Sequence, residues 1–284
     1  MDVSQLGPNK PLFIYGREHC GLFSIVFQVL ALARAAELAG TAAIVYLGRE
    51  VCFWEEAGHN GSRNAWEYFF EPISSLSFAD IGLSSAELEN LCSPALREKL
   101  AERAAAANVY LWDKIGAFGL PNHTTQEQLN YLVEAGQRYL RVRSVVRARA
   151  EAFCSRHFRN HVIGVHYRGT DKSTETPLLR SELYESVLDK LPRDSQLFVA
   201  TDSATFLAAM RSRYGRRVIA TESRRSMDHQ PVHLTGGAVA AEQGLIDALL
   251  LSRCSLLIHG PSNLPGGSVI FNPSVLRIDL CTRG

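Results

Sequence analysis

The second half of the chain alternates short apolar runs with helical patterns, and this alternation narrows the fold more than any other feature. Val162 to Val165, Leu197 to Ala200, Arg217 to Ala220, Ser255 to Ile258 and Val275 to Leu280 have the length and apolar content of buried strands. Between most of them lie stretches with apolar residues at helical spacing: Arg180 to Leu191, Ala204 to Tyr214 and Ala240 to Cys254. Buried strands separated by helices predict a parallel sheet with right-handed crossovers.

The first half opens in the same way and then departs from it. Pro11 to Tyr15 reads as a strand, Gly16 to Gly21 as a turn, Leu22 to Ala39 as a helix ended by Gly40, and Ala42 to Leu47 as a second strand. This is one βαβ unit, with the glycine-flanked turn at a strand's carboxyl end, where open α/β sheets take ligands. Val51 to Leu83 is loop-rich and holds an aromatic cluster, Trp54, Trp66, Tyr68, Phe69 and Phe70, which suits either a satellite core or an acceptor-binding platform. Two helical stretches follow, Ser85 to Ala107 and Thr125 to Phe158. The arginines of the second (Arg138, Arg141, Arg143, Arg147, Arg149 and Arg156) predict a solvated face, the alternative being that some of them reach an anionic substrate. A length of 284 residues suits two domains, 1–155 and 156–284, with the boundary near the end of that helix.

Charge excludes some functions. Thirty basic against twenty-nine acidic side chains give a net charge of +1, so no global field draws the chain to nucleic acid or to an anionic membrane, and any anion must be captured locally. The six cysteines form no CxxC pair, and they read as reduced and buried or incidental. The amino terminus lacks the pattern of a secretory signal and no apolar run is long enough to span a bilayer, so the expected compartment is the cytoplasm. Peripheral contact with a membrane-borne acceptor is compatible with that.

Local capture is where the sequence is most specific. The strand Val162 to Val165 runs into His166-Tyr167-Arg168-Gly169-Thr170-Asp171-Lys172, a dense set of donors at a strand end. His166 and Arg168 share a face of the strand, and a guanidinium gives paired hydrogen bonds to phosphate oxygens. Gly169 lets a ligand approach the backbone or lets the chain turn. The alternative is an internal Arg168–Asp171 ion pair. The next strand ends at Asp202, which suits orienting Arg168, binding a sugar hydroxyl or capping the following helix. Asp247 interrupts an apolar helix face, where a carboxylate needs a partner; it suits a buried ion pair or the paired N–H groups of guanine. Ser262 and Asn263 lie in a Gly260 to Gly267 loop and offer donors for phosphate, or form a plain turn. No Walker loop, GxGxxG, HExxH or serine elbow occurs, and the nine histidines lack ligand spacing, so neither a metal nor another cofactor is expected.

These three clusters, in order and spacing, resemble the conserved regions of the α1,6-fucosyltransferase and O-fucosyltransferase superfamily. The resemblance covers roughly residues 160–275; in the first half, Gly21-Leu-Phe-Ser and Asn64 to Ile73 look similar only to bacterial members. It implies an α/β GT-B fold, with two Rossmann-like domains and parallel sheets facing a cleft. It also implies inverting, metal-independent transfer of fucose from GDP-fucose to a glycan or saccharide acceptor. By the same resemblance Arg168 binds the β-phosphate, His166 and Asp247 the guanosine, and Ser262 with Asn263 the phosphates or ribose, with Gly169, Asp171, Lys172 and Asp202 in the same donor site. Two departures stand out. Gly169 occupies a position where many members have a second arginine, and the glutamate after the motif comes one residue early, at Glu175. Glu175 and Asp202 are the candidate bases. The alternatives are a GT-B transferase with another nucleotide-sugar and a catalytically degenerate nucleotide- or glycan-binding protein.

Overall fold

The computed structural model describes residues 10–16, 20–88, 98, 103–108, 126–159, 161–169, 179–227 and 232–280. They fall into two compact units that divide between Arg143 and Ser144.

The first unit is built on a three-stranded parallel sheet of β1 (Leu12–Tyr15), β2 (Ala43–Tyr46) and β3 (Ala105–Asn108), in the order β2-β1-β3. Helix α1 (Leu22–Leu38) is apolar nearly all round and buried from Leu22 to Ala33, as expected of a helix covered on more than one side. It packs on the sheet and against α2 (Gln126–Tyr139), which is pinned to it where Arg138 and Tyr139 both reach Glu37. Gly40 ends α1 as the sequence suggests. Its φ of 73° lets the amides of Gly40 and Thr41 turn back onto the carbonyls of Glu37 and Ala36.

Two helical expectations fail in this unit. Of the stretch Ser85 to Ala107, Ser85–Leu88 is a short helical turn, while Ala105–Asn108 is strand β3, in register with Leu12–Tyr15. Alanine's helix preference amounts to less than about 1 kcal/mol per residue over most alternatives, and pairing with β1 outweighs it. The stretch Thr125 to Phe158 is not one helix. It breaks at Leu140 to Arg143, where Val142 bridges Phe70, Arg141 accepts from the Glu71 amide and the Arg143 amide donates to Phe69. The Arg143 guanidinium donates to the carbonyls of Asn60 and Glu67, both at 2.7 Å, and so fastens the aromatic loop rather than facing solvent. Trp66, Tyr68, Phe69 and Phe70 are at most 1% exposed, which makes them the core of this loop. Trp54, by contrast, is half-buried beneath the Arg49 guanidinium, 5.4 Å from its ring centroid.

The second unit has a five-stranded parallel sheet of β4 (Val162–Tyr167), β5 (Gln196–Thr201), β6 (Val218–Ile219), β7 (Leu256–His259) and β8 (Leu276–Asp279). Its helices are α3 (Ser144–His157), α4 (Ser181–Leu188), α5 (Ala204–Tyr214), α6 (Gly237–Leu251) and α7 (Asn263–Phe271). α3 packs on α6 through an Arg149–Glu242 ion pair whose carboxylate is buried, and so it lies with this unit, whereas the sequence alone suggested a division after 155.

The strand order β6-β5-β4-β7-β8 is that of a Rossmann-like sheet. It reverses direction between β4 and β7, and the crevice at the carboxyl ends of those two strands is where such sheets bind ligands. Alternation along β4 then assigns its two faces. Ile163 and Val165 join the core with Val187, Leu188 and Phe206, and Tyr167 stacks on Phe206 with ring centroids 4.0 Å apart. Gly164, His166 and the residue after the strand, Arg168, point to the opposite face, which α6 covers.

Candidate functional site

The carboxyl end of the second sheet opens into a pocket enclosing ≈ 580 Å³, counting its mouth, lined in part by His166, Arg168, Asp202 and Asp247. Four of the residues singled out from sequence are thus brought together from β4, β5 and α6. Asp171, Lys172 and Glu175 lie outside the described residues.

Arg168 leaves the end of β4 with its Nε 3.3 Å from Asp202 Oδ2. The other oxygen of Asp202 accepts the Gly169 amide at 2.8 Å. Asp202 therefore fixes both the guanidinium and the backbone that carries it. It does not cap the next helix: Ser203 does, accepting the Phe206 amide. Gly169 sits tight against this strand end. A Cβ there would lie 2.8 Å from Ser203 Cβ and 2.6 Å from the Tyr167 ring, closer than real Cβ contacts come. The absence of a side chain is what lets β4 and the Asp202–Ser203 turn meet.

His166 is buried at the point where the sheet order reverses, in register with His259 of β7. Burial, reinforced by His259 and Arg168, pushes its pKa down to about 3, so the imidazole is neutral. Its Nδ1 meets no partner among the described residues. A buried polar atom left so costs about 1–3 kcal/mol, which a ligand's hydrogen bond would remove.

Asp247 faces the same pocket from the middle of α6, together with Ala240, Gln243 and Gly244 one and two turns earlier. Burial pushes its pKa up to about 6, opposed by a 2.7 Å hydrogen bond from Thr221 Oγ1, by the charge of Arg225 and by the Ser223 hydroxyl. At neutral pH the carboxylate is ionised. Two of its lone pairs face these hydroxyls, which leaves acceptor capacity for a ligand with paired N–H donors.

Ser262 and Asn263 do not form a loop. Ser262 is the N-cap of α7, its hydroxyl accepting the Leu264 amide, and the helix runs through Pro265-Gly266-Gly267. Proline in the first turn gives up an amide that has no helical partner in any case. Neither residue lines the pocket, although Leu264 does, and Asn263 Oδ1 is buried with no partner among the described residues.

Sequence reasoning missed the third wall of the pocket, formed by Ser223 and Arg224 with Thr221 and Arg225 behind them. The available signal was the polar run Thr221-Glu222-Ser223-Arg224-Arg225-Ser226 after β6, the same change from apolar to polar that marks the ends of β4 and β5. Among the described residues no group of three His, Cys, Asp or Glu is placed to hold a metal ion, and no helix is long and apolar enough to cross a membrane.

Two α/β units with parallel sheets, the second with a Rossmann-like strand order and a pocket at the carboxyl ends of β4 and β5, share the GT-B class of fold with the solved structures the chain resembles. Among solved structures the chain is similar over nearly its whole length to fucosyltransferase NodZ from Bradyrhizobium, with 20% identity, 96% of each chain covered and a TM-score of 0.57. Two further structures, NodZ α-1,6-fucosyltransferase co-crystallised with GDP and the same enzyme soaked with GDP-fucose, each give 20% identity, 95% coverage of both chains and a TM-score of 0.55. No family model and no curated protein matches the sequence.

Proposed function

We propose that this chain is a glycosyltransferase that transfers fucose, with inversion and without a metal, from GDP-fucose to a glycan or saccharide acceptor. The observation that carries the reading is the meeting in one pocket of a buried carboxylate, Asp247, a neutral histidine, His166, and a pre-aimed guanidinium, Arg168. Guanine presents its ring N–H and exocyclic amine to Asp247, and Arg168 donates to the β-phosphate. The sugar–phosphate bond breaks through an oxocarbenium-like state, and charge gathers on the departing diphosphate. A guanidinium held in place by Asp202 stabilises that charge without reorganising, which is where fixed donors act most strongly. The NodZ structures with GDP and with GDP-fucose support the choice of donor, since they share this fold. Glu175 or Asp202 takes the acceptor's proton, and the cytoplasm is the compartment proposed.

A thermal-shift panel of GDP, UDP, ADP and CDP tests the base. Ligand at 100 times its dissociation constant stabilises by about 2.7 kcal/mol, a clear shift in Tm. Stabilisation by UDP and not by GDP would overturn the assignment. A second reading, a nucleotide-binding protein without transfer activity, draws on Gly169, where the Ser203 contact leaves no room for a second arginine. Fucose release from GDP-fucose by the wild type and not by Arg168→Ala excludes it.

A further inference from the structure

We propose that Arg225, which does not line the pocket, is a positioning residue that holds Asp247 in its two-acceptor form and thereby selects guanine over adenine. The inference rests on the reading of Asp247 as the base-binding group. Arg225 Nη2 donates to the Thr221 carbonyl and Nη1 to the Ser223 carbonyl, both at 2.8 Å. The hydroxyls of these same two residues face the carboxylate, Thr221 Oγ1 at 2.7 Å from Oδ1 and Ser223 Oγ at 3.4 Å from Oδ2, and they lie 2.5 Å from each other. One guanidinium thus ties down the backbone on either side of Glu222 and turns two hydroxyls inward. Its own Nε is buried with no partner among the described residues, so part of its hydrogen-bonding capacity is given up to hold this position.

The charge of Arg225 adds to the geometry, since it favours ionised Asp247 against the opposing effect of burial. The other charged or titratable groups on the pocket wall are His166, Arg168, Asp202 and Arg224. Protonation would change what Asp247 recognises. An ionised carboxylate only accepts, which matches the two adjacent donors of guanine; a protonated one donates from one oxygen and accepts at the other. That donor–acceptor pair matches the ring nitrogen and exocyclic amine of adenine. The segment after β6 therefore sets base choice through the protonation state of a residue on another element.

Isothermal titration of GDP and of ADP between pH 5.5 and 8 tests this on the wild type, Arg225→Gln and Thr221→Val. In both variants the pH midpoint of GDP binding should move up toward neutrality. GDP affinity at pH 6.5 should fall by up to about threefold, as a midpoint higher by up to one unit requires, and the GDP-to-ADP preference should narrow. Arg225→Lys, which keeps the charge, should recover part of the loss. A merely structural role would weaken both nucleotides alike and leave the midpoint in place; that result in folded Arg225→Gln, or in Thr221→Val if the first variant does not fold, overturns the proposal. A wild type that binds no GDP would instead overturn the base assignment itself.

Discussion

Arg168 and Asp202 form an ion pair across the carboxyl ends of two neighbouring strands, Nε to Oδ2 at 3.3 Å, while the second carboxylate oxygen holds the Gly169 amide. The guanidinium is therefore aimed before any ligand arrives. Removing it in Arg168→Ala should lower the transfer rate by about 10²–10³, the usual loss for one donor directed at developing charge. Asp202→Asn keeps the shape but loosens the aim, and should show a smaller loss with the same sign if Asp202 acts only on Arg168; a loss as large as that of Arg168→Ala assigns it the acceptor's proton. GDP-fucose turnover under saturating donor measures both, and near-wild-type rates in Arg168→Ala would refute this role.

Under the proposed base-binding role of Asp247, GDP binding should depend on pH. Its pKa of about 6 means that the empty site is increasingly protonated below that value, whereas guanine requires the ionised form. The dissociation constant should be flat above neutrality and rise with acidification below pH 6, by up to about tenfold per unit. Titration calorimetry at fixed ionic strength checks it.

His166 gives the fold a pH dependence of its own. Its folded-state pKa of about 3 lies below the unfolded value, so the unfolded chain binds a proton that the folded chain refuses. The stability this contributes is complete above about pH 6.5 and is lost as pH falls toward 3, at up to about 1.4 kcal/mol per unit. Asp247, shifted upward, works in the opposite direction between its unfolded value and about 6. Urea unfolding at pH 7.5 and 5.5 should therefore show a smaller drop for His166→Gln than for wild type.

Position 169 should not tolerate a side chain. With Ser203 Cβ and the Tyr167 ring under 3 Å from an added Cβ, Gly169→Ala must push β4 away from the Asp202–Ser203 turn. Overpacking of this kind costs about 1–3 kcal/mol. The melting temperature should fall by several degrees, and the disturbed Gly169–Asp202 hydrogen bond should weaken nucleotide binding as well.

Trp66 is fully buried in the first unit, its ring centroid 4.6 Å from that of Phe70 and its Nε1 donating to the Glu71 carbonyl. Trp66→Ala should destabilise the protein by about 3–5 kcal/mol in denaturant. A surface platform residue would show almost no effect.

The parts of the fold that could be read in advance share a physical cause. β4, β5 and α5 have patterns that local burial alone produces; the two strands run into polar residues at their carboxyl ends, and α5 stops at Gly215, whose φ is 57°. The alanines of β3 and the break at Val142 carry no such pattern. Both depend on partners distant in sequence, Leu12–Tyr15 for the first and Phe70 for the second, and local propensity points the other way. The site divides along the same line. His166, Arg168 and Asp202 are visible as polar residues at strand ends, and Asp247 as a charge on an apolar helix. Arg225 looks like any surface arginine until Thr221 and Ser223 are seen to face Asp247.

By itself the sequence determined the α/β class, the parallel second sheet and the strand ends at which chemistry is concentrated, because periodicity and the change from apolar to polar are properties of contiguous residues. Only the tertiary structure decided that Asp202 serves Arg168 rather than its own helix, that Ser262 caps a helix, and that the hydroxyls of Thr221 and Ser223 face a buried Asp247. Those are relationships between chain segments brought together by sheet order, and a hydrogen bond or a desolvated charge exists only once that order has placed both partners.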